Sequence, residues 1–205
     1  MSHQPDLPGT DGVRPGPLTA GVLRTARLLV VPIAPERAAA ILAYYERNAV
    51  HLAPWEPAWP SDFLTLGYWQ STTRRAVSEA RQDWAHRFIA FRQTDPDRMV
   101  ASVNLNNIVR GVFGAAHLGY SVDAREQGSG IGTEAVGAVV QYGFETLRLH
   151  RIMANYQPGN ERSARLLRRL GFVPEGFARD YLYIAGAWRD HVLTAKNNPD
   201  ETVSP

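Results

Sequence analysis

The stretch GYSVDAREQGSGIGTEAVGAVV, residues 119–140, decides the fold. It passes from an apolar strand pattern through a glycine-rich turn into a helical pattern. A turn of this kind offers backbone N–H groups to an anion, with the positive end of a helix macrodipole behind them. A tight turn whose glycines only supply positive φ has the same sequence. The flanking chain has to separate these readings.

Downstream, Ile131, Ala135, Val139, Gly143 and Leu147 recur every four residues, with Val136, Val140 and Phe144 alongside. That period predicts a long helix with a broad buried face from Gly130 onward. RIMANYQ, residues 151–157, reads as a short strand stopped by Pro158. Asn160 is placed to cap a second helix carrying Ala164, Leu166, Leu167 and Leu170, and Gly171 to end it. Two further strand patterns follow, joined at Ala185-Gly186 as a tight hairpin. Upstream, residues 87–93, 99–109 and 115–122 read as a three-strand meander, the first two joined at TDPDR.

RLLVVPI, residues 27–33, is a first strand, residues 38–45 a helix and residues 69–86 a polar helix. Residues 51–63, HLAPWEPAWPSDF, are excluded from regular structure by three prolines. This loop holds Trp55, Trp59 and Phe63, which either cover a core edge or wall a cleft around Glu56. Residues 1–20 are crowded with Pro and Gly and read as a disordered extension. Residues 21–197 form one α+β domain on a mixed sheet, and 198–205 a flexible tail.

At 205 residues, 44% hydrophobic and 20% charged, the chain has the bulk composition of a single globular domain. A net charge of +2 leaves no nucleic-acid footprint. The absence of cysteine excludes disulfides, thiolate metal sites and a Cys nucleophile. No metal site is expected. No apolar run reaches the roughly 20 residues of a membrane span, so a cytoplasmic location is expected.

Three known glycine motifs fail at the turn. A P-loop needs Lys-Ser/Thr after its last glycine, where this chain has Thr133-Glu134. A Rossmann site needs a third glycine, where Thr133 stands, and an acid at the end of the next strand, which closes at Asn155-Tyr156. A nucleophile elbow needs a different serine placement.

What remains is Gln127-x-x-Gly130-x-Gly132, after an apolar strand and opening a helix. It resembles the acetyl-CoA pyrophosphate loop, Gln/Arg-x-x-Gly-x-Gly/Ala, of the GNAT superfamily of N-acetyltransferases. NYQPGNERSARLLRRLGF, residues 155–172, continues the resemblance, with Asn160 and Ser163 ahead of an LGF helix end. HLAPWEP, NLNNIVRG, LGYSV, HRIMANYQPGNERSARLLRRLGF and GAWRDHVLTA are similar to the RimJ type, the ribosomal-protein alanine N-acetyltransferases. The resemblance implies a single domain with a mostly antiparallel mixed sheet flanked by helices and splayed between its fourth and fifth strands. It implies acetyl-CoA as co-substrate and the N-terminal amine of a ribosomal protein as acceptor, with the assembling ribosomal subunit as a further partner.

By that resemblance the cofactor contacts fall on Leu118, Tyr120, Val122, Gln127, Gly128, Ser129, Gly130, Ile131, Gly132, Thr133, Asn155, Asn160 and Ser163. Amides of residues 128–133 would cradle the phosphates, and a backbone N–H from residues 118–122 would meet the oxyanion. Ser163 is the candidate for the leaving thiolate, against a purely capping role. His117 stands where many members carry a Glu two residues before the GY pair, and an imidazole accepts a proton near neutrality. The Glu assigned in related ribosomal-protein enzymes does not transfer, because Leu182 occupies its position. Glu56 is the other base candidate, or a counter-charge for an ammonium, and Trp55, Glu56 and Asn104 are the candidate acceptor contacts.

An α-amine with pKa of about 7.7–8.0 is neutral at pH 7 roughly 300 times more often than a lysine amine near 10.4, so an N-terminal acceptor needs no strong base. The rival readings are a small-amine or antibiotic acceptor, and a non-catalytic acetyl-CoA-binding protein associated with the ribosome.

Overall fold

The computed structural model describes residues 21–200. The elements run β1 Leu23–Arg24, β2 Leu28–Pro32, α1 Ala38–Leu52, α2 Leu66–Arg81, β3 His86–Arg92, β4 Asp95–Val109 and β5 Ala115–Val122. Then come α3 Ile131–Glu145, β6 Arg151–Tyr156, α4 Glu161–Arg169, β7 Val173–Ile184 and β8 Ala187–Asn197. All the strands join one sheet, ordered β1-β2-β3-β4-β5-β6-β8-β7. Only β5 and β6 pair in parallel. The expected α+β domain with a mostly antiparallel mixed sheet is therefore what the chain forms.

Alternation along the strands sends one face into a core with α3, where Val103, Leu105, Leu118, Ile131, Ala135 and Val139 are buried. The opposite face receives Ile41 and Tyr44 of α1, Trp69 of α2 and Phe63 of the connecting loop. Gly143 lets α3 lie close on the sheet: a Cβ there would stand 2.8 Å from Ile152 Cδ1 and 3.2 Å from Leu105 Cδ1.

Several boundaries differ from the sequence reading. Helix α1 runs seven residues past Tyr45 and takes in His51 and Leu52, because its buried stripe continues through Tyr44, Asn48 and Leu52. A proline ends a helix only just ahead of itself, and α1 accordingly stops two residues before Pro54. Helix α2 starts at Leu66, capped by Thr65 Oγ1 accepting from Tyr68 N–H (3.2 Å), and ends at Arg81 rather than at 86. The β3–β4 turn is Gln93-Thr94, and Asp95-Pro96-Asp97 already belong to β4. Bulges near Phe91 absorb that change of register.

Other expectations hold. Gly171 takes φ +82° after α4. Ala185 (φ 49°) and Gly186 (φ 78°) make a two-residue turn with both φ positive, the type I′ geometry of tight hairpins. The extension at 1–20 lies outside the described residues, as do 201–205. Asn198, assigned to the tail, donates its N–H to the His150 carbonyl at 2.8 Å.

Candidate active site

Strands β5 and β6 pair only at Ala115–Arg151, Ala116–Ile152 and His117–Met153. Beyond that point they part, while β6 stays paired to β8 as far as Tyr156. The edge of β5 from Leu118 to Val122 that faces β6 is left without a strand partner. This is the splay expected between the fourth and fifth strands, which are the fifth and sixth once β1 is counted.

Alternate residues of β5 along the gap face opposite ways. Leu118, Tyr120 and Val122 pack toward α3. His117, Gly119 and Ser121 alternate with them, and Ser121 Oγ meets the hydroxyl of Tyr44 on α1 at 2.9 Å. A thioester threaded through the gap would meet Tyr120 on one face and an amine arriving past His117 on the other.

The glycine turn opens α3 at the mouth of the gap. Gly128 (φ 75°) and Gly130 (φ 81°) are left-handed, so these two glycines are required by the backbone. Gly132 is required by packing: a Cβ would stand 2.9 Å from Val122 Cγ2 and 3.2 Å from Leu166 Cδ1. The N–H of Ser129 turns back to the Glu126 carbonyl at 3.4 Å. The first helical hydrogen bond runs from Glu134 N–H to Gly130 O. The N–H groups of Gly130, Ile131, Gly132 and Thr133 thus have no acceptor within the helix, the arrangement that suits a helix N-terminus to an anion.

A polar base fixes this turn. Asp123, 1% exposed, accepts from Arg47 Nε (2.7 Å), Asn48 Nδ2 (3.3 Å) and Arg125 N–H (2.9 Å), and pairs with Arg98 at 3.0 Å. Burial works to raise its carboxyl, but these donors outweigh it and hold the group below its ordinary value. Arg92 and Arg98 hold buried Glu126 in the same way. On the outer side, Arg27 pairs with Glu134 at 2.6 Å and donates from Nη1 to the Ser129 carbonyl at 2.8 Å.

Ser163 occupies the third position of α4, its N–H donating to the capping Asn160 Oδ1 at 3.0 Å. Its hydroxyl lies 2.6 Å from the hydroxyl of Tyr120, so strand and helix meet at two polar atoms beside the gap. Burial pushes the Tyr120 phenol up to about 12, with the Ser163 bond pulling the other way, and it stays protonated at neutral pH.

On the other face, burial lowers the His117 imidazole, whose Nδ1 is buried without a partner. Glu56 lies in the Trp loop and accepts from Trp59 Nε1 at 2.8 Å. Burial raises its carboxyl and the Trp59 bond eases it back. The Glu56 carbonyl also accepts from Ala185 N–H at 3.1 Å, which joins the loop to the β7–β8 hairpin and makes one wall of the two. Asn104, opposite Gly119, contacts Ser102 Oγ at 3.5 Å, and Trp55 is 39% exposed.

Two expected cofactor side chains are already engaged elsewhere. Gln127 Nε2 lies 2.6 Å from His51 Nε2, toward α1. Asn155 Nδ2 donates to the Tyr181 hydroxyl at 3.3 Å. Sequence reasoning missed Arg27 and the Asp123 base. The Arg27–Glu134 pair spans 107 positions and left no local signal, whereas a buried Asp closing a strand ahead of a one-turn helix is a capping pattern that could have been read.

A gap between parallel strands, with a helix N-terminus at its mouth and hydroxyls beside it, is the architecture of an acyl-CoA-dependent N-acetyltransferase. Residues 27–173 match the acetyltransferase (GNAT) domain, and the chain belongs to that family. It is 43% identical over 182 residues to the ribosomal protein uS5-alanine N-acetyltransferase of Escherichia coli K12, covering 88% of this chain and 92% of that one. The crystal structure of ribosomal-protein-S5-alanine acetyltransferase from Vibrio fischeri superposes with a TM-score of 0.84 at 40% identity, over 88% of this chain and 98% of that chain. Mycobacterium smegmatis RimJ, solved with CoA-disulfide, gives 0.78 at 30% identity over 86% and 85%. Among the described residues no group of His, Asp or Glu could hold a metal ion, and no helix is long and apolar enough to cross a membrane.

Proposed function

We propose that the protein transfers acetyl from acetyl-CoA to the N-terminal α-amino group of a ribosomal protein, with alanine as first residue. The observation that carries this is the β5–β6 gap, beside which alternate residues of β5 offer the Tyr120–Ser163 hydroxyl pair on one face and His117 and Ser121 on the other. Identity of 43% across nearly all of a uS5-alanine acetyltransferase supports the acceptor class. That acceptor implies a cytoplasmic location and access to the protein before or during subunit assembly.

The neutral amine attacks the thioester carbon, forming C–N as the carbonyl electrons move onto oxygen. A β5 backbone N–H facing the gap receives that oxyanion. The amine proton passes through water to His117 or Glu56 and then to solvent; burial keeps His117 unprotonated and ready for it. Collapse re-forms C=O and breaks C–S.

Magnitudes decide the role of Ser163 and Tyr120. A thiol has a pKa of about 8.5, so full proton transfer from a phenol near 12 would be uphill by roughly 5 kcal/mol. The pair therefore serves the departing thiolate as a hydrogen-bond donor chain, Tyr120 to Ser163 to sulfur, and the thiolate takes its proton from solvent. No acyl-cysteine intermediate can form, since the chain has no cysteine.

Labelled acetyl-CoA should be offered with an Ala-initiated ribosomal-protein peptide, the same peptide with a blocked N-terminus, and an aminoglycoside. Label on the free peptide alone is expected. Label on the blocked peptide would move the assignment to lysine, and label on the aminoglycoside alone would refute the peptide acceptor.

A further inference from the structure

Beside the acceptor face, β4 departs from regular pairing with β5 between Asn106 and Val109, and Asn107 takes φ 52°. A non-glycine residue held left-handed inside a bulge re-aims its side chain, a feature that clusters at functional sites. Here the bulge turns two consecutive carboxamides into a groove of about 620 Å³ lined also by Glu79, Trp84, Arg87 and Ile108. Neither carboxamide is hydrogen-bonded among the described residues. Glu79 and Arg87 pair with each other, so the floor is electrostatically closed. Trp84, 61% exposed, supplies an apolar wall.

Asn106 connects this groove to the transfer site. It stands opposite His117 in the β4–β5 ladder, and its Nδ2 is 3.9 Å from where a Cβ on Gly119 would be. Unpartnered amides, each with a donor and an acceptor, match a polypeptide backbone, and the neutralised floor selects no charge. The span from β5 to β3 is two strand spacings, about 10 Å, which an extended chain covers in about three residues.

We infer that this groove holds the acceptor polypeptide beyond its first residue, with Asn106 orienting the first peptide group and Asn107 and Trp84 holding the next ones. The inference rests on the N-terminal acetyltransferase reading and names where that acceptor lies. It makes the enzyme selective for chains over isolated amino acids and small amines.

The test compares an Ala-initiated dipeptide amide with an Ala-initiated hexapeptide of ribosomal sequence. Two net hydrogen bonds predict a KM about tenfold lower for the hexapeptide. Asn107→Gly, which keeps the left-handed backbone while deleting the carboxamide, and Trp84→Ala should each bring that ratio below about three, with the KM for acetyl-CoA unmoved. Equal KM values for the two peptides, or a ratio that survives both substitutions, overturn the groove while leaving N-terminal transfer standing. Transfer to a small amine but to neither peptide overturns the acceptor reading and this inference together.

Discussion

Replacing Asp123 by Asn keeps the shape of the residue beneath the glycine turn and removes its charge. In the native protein that carboxylate faces the guanidinium groups of Arg47 and Arg98 and is 1% exposed. Breaking a fully buried ion pair costs about 3–5 kcal/mol because a charge is left without its partner. Both arginines are partly exposed, at 26% and 28%, so water takes up some of that charge. Discounting for this screening gives about 2–3 kcal/mol, or a fall in Tm of about 4–12 °C for a domain of this size. The loss should also reach the cofactor, since Asp123 accepts from Arg125 N–H and so sets the one-turn helix leading into Gly128. Differential scanning calorimetry and acetyl-CoA titration of Asp123→Asn read the two effects separately. A Tm within about 2 °C of wild type together with an unchanged KM for acetyl-CoA would refute the reasoning that this buried network holds the loop.

Tyr120→Phe and Ser163→Ala should each lower kcat about tenfold with the acetyl-CoA KM little changed, and the double variant should be no worse than the poorer single one, as expected of one hydrogen-bonded unit; additive losses count against a shared role. Gly130→Ala forces a Cβ onto a residue at φ 81°, so stability should fall by about 1–2 kcal/mol and acetyl-CoA should bind more weakly. A variant as stable as wild type would show that the left-handed turn is not required. Burial lowers both His86 and His117 in the folded state, Asp83 partly opposing this for His86. The unfolded chain therefore binds more protons, and the stability these residues contribute is complete above about pH 6.5 and lost as pH falls toward their folded values. Tm measured from pH 8 to 5.5 should decline, and the His86→Gln, His117→Gln double variant should flatten the slope; an unaltered slope excludes these two groups as its source.

The glycine turn shows how far a local pattern carries. Gly128 and Gly130 were legible as turn glycines because the demand for positive φ is a property of the backbone itself, and Asn160 as a cap because its partner lies three residues away. The role of Gly132 was not, since the atoms that exclude a side chain there belong to Val122 and Leu166, ten and 34 positions away. Helix α1 was read too short for a related reason. Prolines after Ala53 are a local signal, but the burial of Asn48 and Leu52 that sustains the helix depends on what packs against it.

By itself the sequence determined the element types, the glycine loop, the capped α4 and the hairpin turn, all of which follow from contacts within a few residues and from periodicity. Only the tertiary structure decided that Tyr120 meets Ser163, that Arg27 and Asp123 brace the loop, that Gln127 turns to His51, and that Asn106 lines a groove beside Gly119. Those relations join residues 43 to 102 positions apart, or across a strand ladder, and each exists only once the helices have packed on the two faces of the sheet. Local sequence sets which atoms are offered, and the packing of distant segments sets which of them meet.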